Sequence, residues 1–156
     1  MNKNFDTNVS GTHVLTHACV PLLLAASSPR LLFLTSGIAT LTGNAKTFYP
    51  PWVPNPPGGW PKEKLVAATG YRVSKAALNM LTLTWHWVLK EDGVRTWAVS
   101  PGLLATNLGG MGPERMRAMG AKDPSIGGDL IRRVIEGERD ADVGKVVNQD
   151  GAVQDW

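Results

Sequence analysis

The chain has 156 residues, 43% hydrophobic and 19% charged, with a formal net charge of +3. That balance suits one folded domain with a real core and excludes wholesale disorder. Lysine and arginine are scattered, Arg132-Arg133 being the only adjacent pair, so the sequence offers no basic face for nucleic acid.

The single cysteine, Cys19, has no partner for a disulfide within the chain. The apolar run 18–26 is too short to span a bilayer, and the polar stretch 1–10 does not read as a signal sequence. The expectation is a cytoplasmic protein with neither a membrane nor a nucleic acid as partner.

Residues 4–26 carry Phe5, Val9, Val14, Leu15, Ala18 and Leu22 at steps of three to five, which predicts a helix. Pro21 removes a backbone donor and should kink it, and Ser27-Ser28-Pro29 ends it. Arg30 to Thr35 is a short apolar run suited to a strand buried on both faces, although so short a run also fits a piece of helix. From Gly43 to Pro61 six prolines, Gly58, Gly59, Trp52 and Trp60 predict a long excursion loop. A second long helix follows over 67–90, closed by Asp92-Gly93. Residues 94–100 alternate as a strand up to Pro101-Gly102. Residues 103–128 are rich in Gly and Met and read as irregular and lid-like, with a short helix near 114–119. A helix over 130–138 and a final short strand over 145–148 complete the chain. Helices alternating with strands in this way predict an α/β fold with a parallel sheet flanked by helices.

Tyr71 and Lys75, four residues apart on the second long helix, leave the same face one turn apart. A free phenol, with a pKa near ~10, is a poor acid or base at neutrality, and a neighbouring ammonium favours the phenolate. General acid–base catalysis needs such tuning; a solvated helix face produces the same pair by chance. Ser36 stands just past the end of the first strand, where open parallel sheets bind ligands, and it also reads as a simple turn serine. Pro101-Gly102 follows the next strand, with Thr106 close behind. A glycine there lets the backbone approach a ligand and the threonine hydroxyl can hold one, while a turn alone explains the pair equally.

Four segments in order, Asn8-Val9-Ser10-Gly11, Leu34-Thr35-Ser36-Gly37, Tyr71-Arg72-Val73-Ser74-Lys75-Ala76-Ala77-Leu78 and Ser100-Pro101-Gly102-Leu103-Leu104-Ala105-Thr106, resemble the short-chain dehydrogenase/reductase family. The resemblance runs from the first helix to Asp150-Gly151. It implies a Rossmann-like fold and an NAD(P)-dependent oxidoreductase interconverting a ketone or aldehyde and an alcohol. It assigns Tyr71 as proton donor or acceptor at the substrate oxygen. Lys75 supports the tyrosine and binds the nicotinamide ribose, Ser36 positions the substrate oxygen, and Asn8 holds a water that links the lysine to solvent. Pro101, Gly102, Leu104 and Thr106 then touch the nicotinamide. No metal is implied.

Two features depart from the family pattern. The Gly-rich phosphate turn and the Asn-Asn-Ala-Gly segment are absent from the 156 residues. The expected fold is therefore a single partial Rossmann-like domain lacking the first βαβ cofactor-phosphate half, with weak cofactor binding by itself and an uncovered sheet edge. Ser36 and Tyr71 are also 35 positions apart (71 − 36), far more than is common in the family. The extra length is the Pro/Trp-rich segment 43–66. Some carbonyl reductases of the family carry an insertion there, which makes NADP the expected cofactor, with NAD possible. Trp52 and Trp60 either wall a substrate pocket or form a solvent-exposed loop. Met111, Met116 and Met119 either line an apolar site or simply pack. His13 and His17 read as core or surface histidines. The partner implied is a small-molecule carbonyl or alcohol, with a homo-oligomer through the two long helices as the family's common arrangement. The alternative reading is a non-catalytic truncated paralogue, or a gene-model fragment unable to bind cofactor alone.

Overall fold

A computed structural model describes residues 1–46, 55–62 and 68–156. The elements in chain order are α1 (Asn2–Phe5), a π-helical turn (Asp6–Gly11), α2 (Thr12–Ala25), β1 (Arg30–Leu34), α3 (Leu41–Lys46), α4 (Thr69–Leu89), β2 (Arg95–Ser100), α5 (Pro113–Ala118), α6 (Pro124–Ile135), β3 (Val146–Asn148) and β4 (Val153–Gln154). The sheet order is β1-β2-β3-β4. β2 pairs in parallel with β1 and β3, and β4 closes the far edge antiparallel to β3. The α/β class and the parallel sheet expected from the sequence are both present.

Side-chain alternation along the strands divides the core into two layers. On one face Phe33 packs with Leu78, Trp85, Leu89 and Val94, joined by Val20 and Leu23 of α2. On the other face Trp97, Val99 and Val147 meet Leu130 and Val134 of α6. Trp97 is 0% exposed. Its indole N–H donates to the Arg139 carbonyl at 2.9 Å, which satisfies the one polar atom such a ring brings into a core.

Several elements differ from the sequence expectation. The expected loop over 43–61 starts late, because Gly43 to Lys46 form the end of α3. The first helix is continuous from Asn2, yet it winds through the π turn at Asp6–Gly11. The last helix spans Pro124–Ile135 rather than 130–138. Asp123 caps it by accepting the Ser125 N–H at 2.9 Å, with Pro124 at the first helical position. Residues 124–128 are thus helix rather than part of an irregular lid. β4 is an additional strand that the sequence reading did not include.

β1 pairs only with β2 among the described residues. Leu34 of β1 and Leu15, Leu22 and Leu24 of α2 are exposed. No helix among the described residues is long and apolar enough to cross a membrane.

Candidate active site

Both crossovers of the sheet deliver chemistry to the carboxyl ends of β1 and β2, the end where open α/β sheets hold ligands. A cavity of about 300 Å³ lies there, and Ser36, Tyr71, Pro101, Gly102, Leu104 and Thr106 all line it. Residues separated by up to 70 positions (106 − 36) in the chain therefore share one small volume.

Ser36 begins the turn after β1 in an extended conformation. Its Oγ accepts the Ile38 N–H at 3.4 Å, which leaves the hydroxyl hydrogen available to a ligand oxygen. Its carbonyl accepts from Gln154 Nε2 at 3.4 Å. The segment just beyond is held by the end of the chain, where the Trp156 carbonyl accepts the Leu41 and Thr42 N–H groups at 2.9 and 3.2 Å and the Thr40 hydroxyl at 3.1 Å.

Tyr71 stands in the first turn of α4, with the Lys75 ammonium 5.8 Å from the centre of its ring. Lys75 Nζ also donates to the Leu34 carbonyl at 2.7 Å. Burial pushes the Lys75 ammonium below the usual lysine range, because a low-dielectric setting penalises the charged form. Lys75 is not among the cavity-lining residues.

Asn8 is placed by the π turn and does not line the cavity either. Its Nδ2 donates to Ser74 Oγ at 2.9 Å, and that hydroxyl donates to the Tyr71 carbonyl at 2.8 Å. Asn8 thus meets α4 at Ser74, the residue immediately before Lys75. π turns often mark such functional positions. Ser74 is a partner the sequence reading missed, although it lies within the quoted motif.

Gly102 has φ +84 in the turn after β2, a left-handed conformation that favours glycine. A Cβ there would sit 2.2 Å from the Gln149 amide nitrogen. Thr106 Oγ1 accepts the Leu108 N–H at 3.2 Å, so its own hydrogen can serve a ligand. The start of the expected lid is pinned in place: Ala105 N–H donates to the Lys122 carbonyl at 2.8 Å, and Lys122 N–H donates to the Leu103 carbonyl at 2.9 Å.

The rest of the cavity wall is largely apolar, with Ile38, Leu103, Leu108 and Met116 among its residues. Met111 and Met119 are exposed and line nothing there. Trp60 is 87% exposed and lies outside the wall, and Trp52 falls outside the described residues. His13 packs on the Trp85 ring with centroids 5.4 Å apart.

No family model matches the sequence. The chain is 49% identical over 153 residues to the short-chain dehydrogenase/reductase tropE of Talaromyces stipitatus, covering 98% of this chain and 57% of that protein. It is 30% identical over 156 residues to the C-signal of Myxococcus xanthus, covering all of this chain and 78% of that protein. Among solved structures, the NADPH-bound carbonyl reductase from chicken fatty liver matches with a TM-score of 0.72 at 23% identity, over 100% of this chain and 58% of that one. The chain spans little more than half the length of tropE and of that carbonyl reductase. The ordered motifs, three of which contribute residues to one cavity, and these similarities lead to one conclusion: the chain belongs to the short-chain dehydrogenase/reductase family.

Proposed function

We propose that the protein to which this chain belongs is an NADP-dependent oxidoreductase that interconverts a ketone or aldehyde and an alcohol. The observation that carries the reading is the shared cavity of Ser36 and Tyr71, which Pro101, Gly102, Leu104 and Thr106 also line. The residues present suit the nicotinamide end of the cofactor. Gly102 keeps backbone free of a Cβ, Pro101 and Leu104 offer apolar contact, and Thr106 offers a hydroxyl. Lys75, one turn from Tyr71 with its ammonium 5.8 Å from that ring, binds a ribose hydroxyl in this reading.

When bound, a nicotinamide supplies or takes the hydride, the part of the reaction that no side chain can perform. The chain's own residues handle the oxygen. In this reading the Ser36 hydroxyl donates a hydrogen bond to the substrate carbonyl and orients it. Tyr71 delivers a proton to that oxygen as negative charge develops, and takes it back in the oxidation direction. The Lys75 ammonium supports the phenolate left behind. Asn8 holds a water that links Lys75 to solvent in this reading, and its bond to Ser74, which in turn bonds the Tyr71 carbonyl, also ties it to α4. The preference for NADP rests on the carbonyl-reductase-like spacing between Ser36 and Tyr71. The exposed apolar residues of α2 and α4, among them Leu22, Met80 and Trp87, are compatible with pairing of copies through these helices.

The test is Tyr71→Phe, assayed with NADPH and a panel of aldehydes and ketones. Removing the phenolic proton is expected to abolish measurable turnover while NADPH affinity, followed by fluorescence, changes less than about threefold. Turnover comparable to wild type would end the proton-donor assignment.

A further inference from the structure

The end of β1 meets α4 at three consecutive residues. The Leu34 carbonyl accepts from Lys75 Nζ, the Thr35 hydroxyl hydrogen-bonds Asn79 Oδ1, and Ser36 shares the cavity with Tyr71. Tyr71, Lys75 and Asn79 are spaced at four-residue steps and so share one side of the helix. Thr35 and Asn79 are each only 4% exposed. A carboxamide so deep in a helix that also buries Leu78 and Thr82 is costly unless it is bonded; the Thr35 hydroxyl meets its Oδ1, while its buried Nδ2 has no partner among the described residues.

From this arrangement we infer that Thr35 and Asn79 are positioning residues that set the separation of Ser36 from Tyr71. This rests on the functional reading given above. Apolar packing between Phe33, Leu78 and their neighbours fills the layer, but such contacts are non-directional and tolerate sliding. A hydrogen bond between two buried groups weakens steeply with displacement and fixes both distance and direction. Thr35 is anchored on its other side as well, its N–H donating to the Val99 carbonyl at 2.8 Å. The strand end is therefore locked to β2 through its backbone and to α4 through its side chain. Ser36 follows directly, and Tyr71 lies two helical turns from Asn79. A shift of 1 Å between catalytic groups can cost about 100-fold in rate; Thr35 also borders the cavity, so Asn79, which does not, is the member of the pair that acts purely through position.

The experiment compares Thr35→Val, Asn79→Leu, the double variant and Thr35→Ser with wild type, measuring kcat, KM for NADPH and Tm. Each single apolar substitution is expected to lower kcat by roughly 10- to 100-fold, with KM for NADPH within about twofold. Thr35→Ser keeps the hydroxyl and is expected to retain kcat. The double variant leaves no buried group unpaired and is expected to regain the Tm lost by the singles, yet its kcat stays low. Recovery of kcat together with Tm in the double variant would reduce the pair to a purely structural role. Wild-type kcat in Thr35→Val or Asn79→Leu would likewise overturn the inference. Should one single variant fail to fold, the other single and the double carry the same comparison. Tyr71→Phe separates the two levels. If it retains turnover, or if wild type has none, the functional reading fails and takes this inference with it. If it is dead while Thr35→Val is not, only this inference fails.

Discussion

Lys75 carries two demands that pull against each other. In the proposed mechanism its ammonium must stay protonated to support a phenolate, yet burial favours the neutral amine. The outcome is a lysine that loses its proton at lower pH than a free one, whose value is near ~10.4. Because the charged form is the useful one, activity should fall on the alkaline side before that value is reached. The profile of log kcat/KM against pH, taken with a fixed carbonyl substrate, is the measurement; a flat profile through pH ~10.4 would remove Lys75 from the reaction. Lys75→Met should lose the alkaline limb along with most of the rate. At this scale the sequence was informative where a motif is local. Tyr71 and Lys75 are one turn apart, and Ser36 follows a recognisable strand, so each could be named without coordinates. The ties that hold them are non-local: Asn8 bonds Ser74 across 66 positions and Thr35 bonds Asn79 across 44. Asn79 and Ser74 read in the sequence as ordinary helix residues, because nothing within a helical window reveals which polar side chain will be buried.

Among the elements, α6 shows how packing overrules local signals. Gly127 and Gly128 lower helix propensity, which is why the sequence reading started this helix late; the Asp123-Pro124 cap is the signal that corrects it. Gly127 has a packing reason. A Cβ there would lie 2.5 Å from Leu104 Cδ1 and 3.1 Å from Pro101 Cβ, both residues of the cavity wall. Gly127→Ala would gain about 1 kcal/mol of helix propensity, but overpacking costs about 1–3 kcal/mol, and the proline ring has little room to move. The expected result is a lower Tm, with KM for the carbonyl substrate raised several-fold as Leu104 is pushed toward the cavity. A higher Tm with unchanged KM would show that the wall yields freely. α3, β4 and the π turn were missed for a different reason. They span two to six residues, too few for periodicity to register, and they exist because tertiary partners, such as the Trp156 carbonyl at the start of α3, complete their hydrogen bonding.

For the whole molecule, the sheet is held at its amino ends as firmly as it is opened at its carboxyl ends. Asp140, in the turn after α6, receives Arg30 of β1 at 2.6 Å and Arg95 of β2 at 2.5 Å. Arg30 also donates to the Val134 carbonyl at 2.9 Å and lies 5.2 Å from the centre of the Trp97 ring. One carboxylate therefore joins β1, β2 and the α6 region opposite the site, beside a core whose truncation at Trp97→Ala should cost about 3–5 kcal/mol. The hydrogen bond from Arg30, with the charges of Arg30 and Arg95, holds the Asp140 carboxyl below the usual carboxylate range. A group titrating lower when folded than when unfolded binds fewer protons in the native state, so stability rises with pH across that interval. The contribution of the clamp is then complete above the unfolded value near ~3.9 and disappears as pH falls through the lower folded value. The Asp140 side chain is 36% exposed, so solvent and salt weaken the clamp without abolishing it. Thermal unfolding of wild type and Asp140→Asn from pH 7 down to pH ~2 tests this. Wild type should melt higher at pH 7, the gap should close below about pH 4, and 1 M salt should narrow it at neutral pH. A gap of constant size down to the lowest pH would mean that the difference comes from packing around residue 140 and not from its charge.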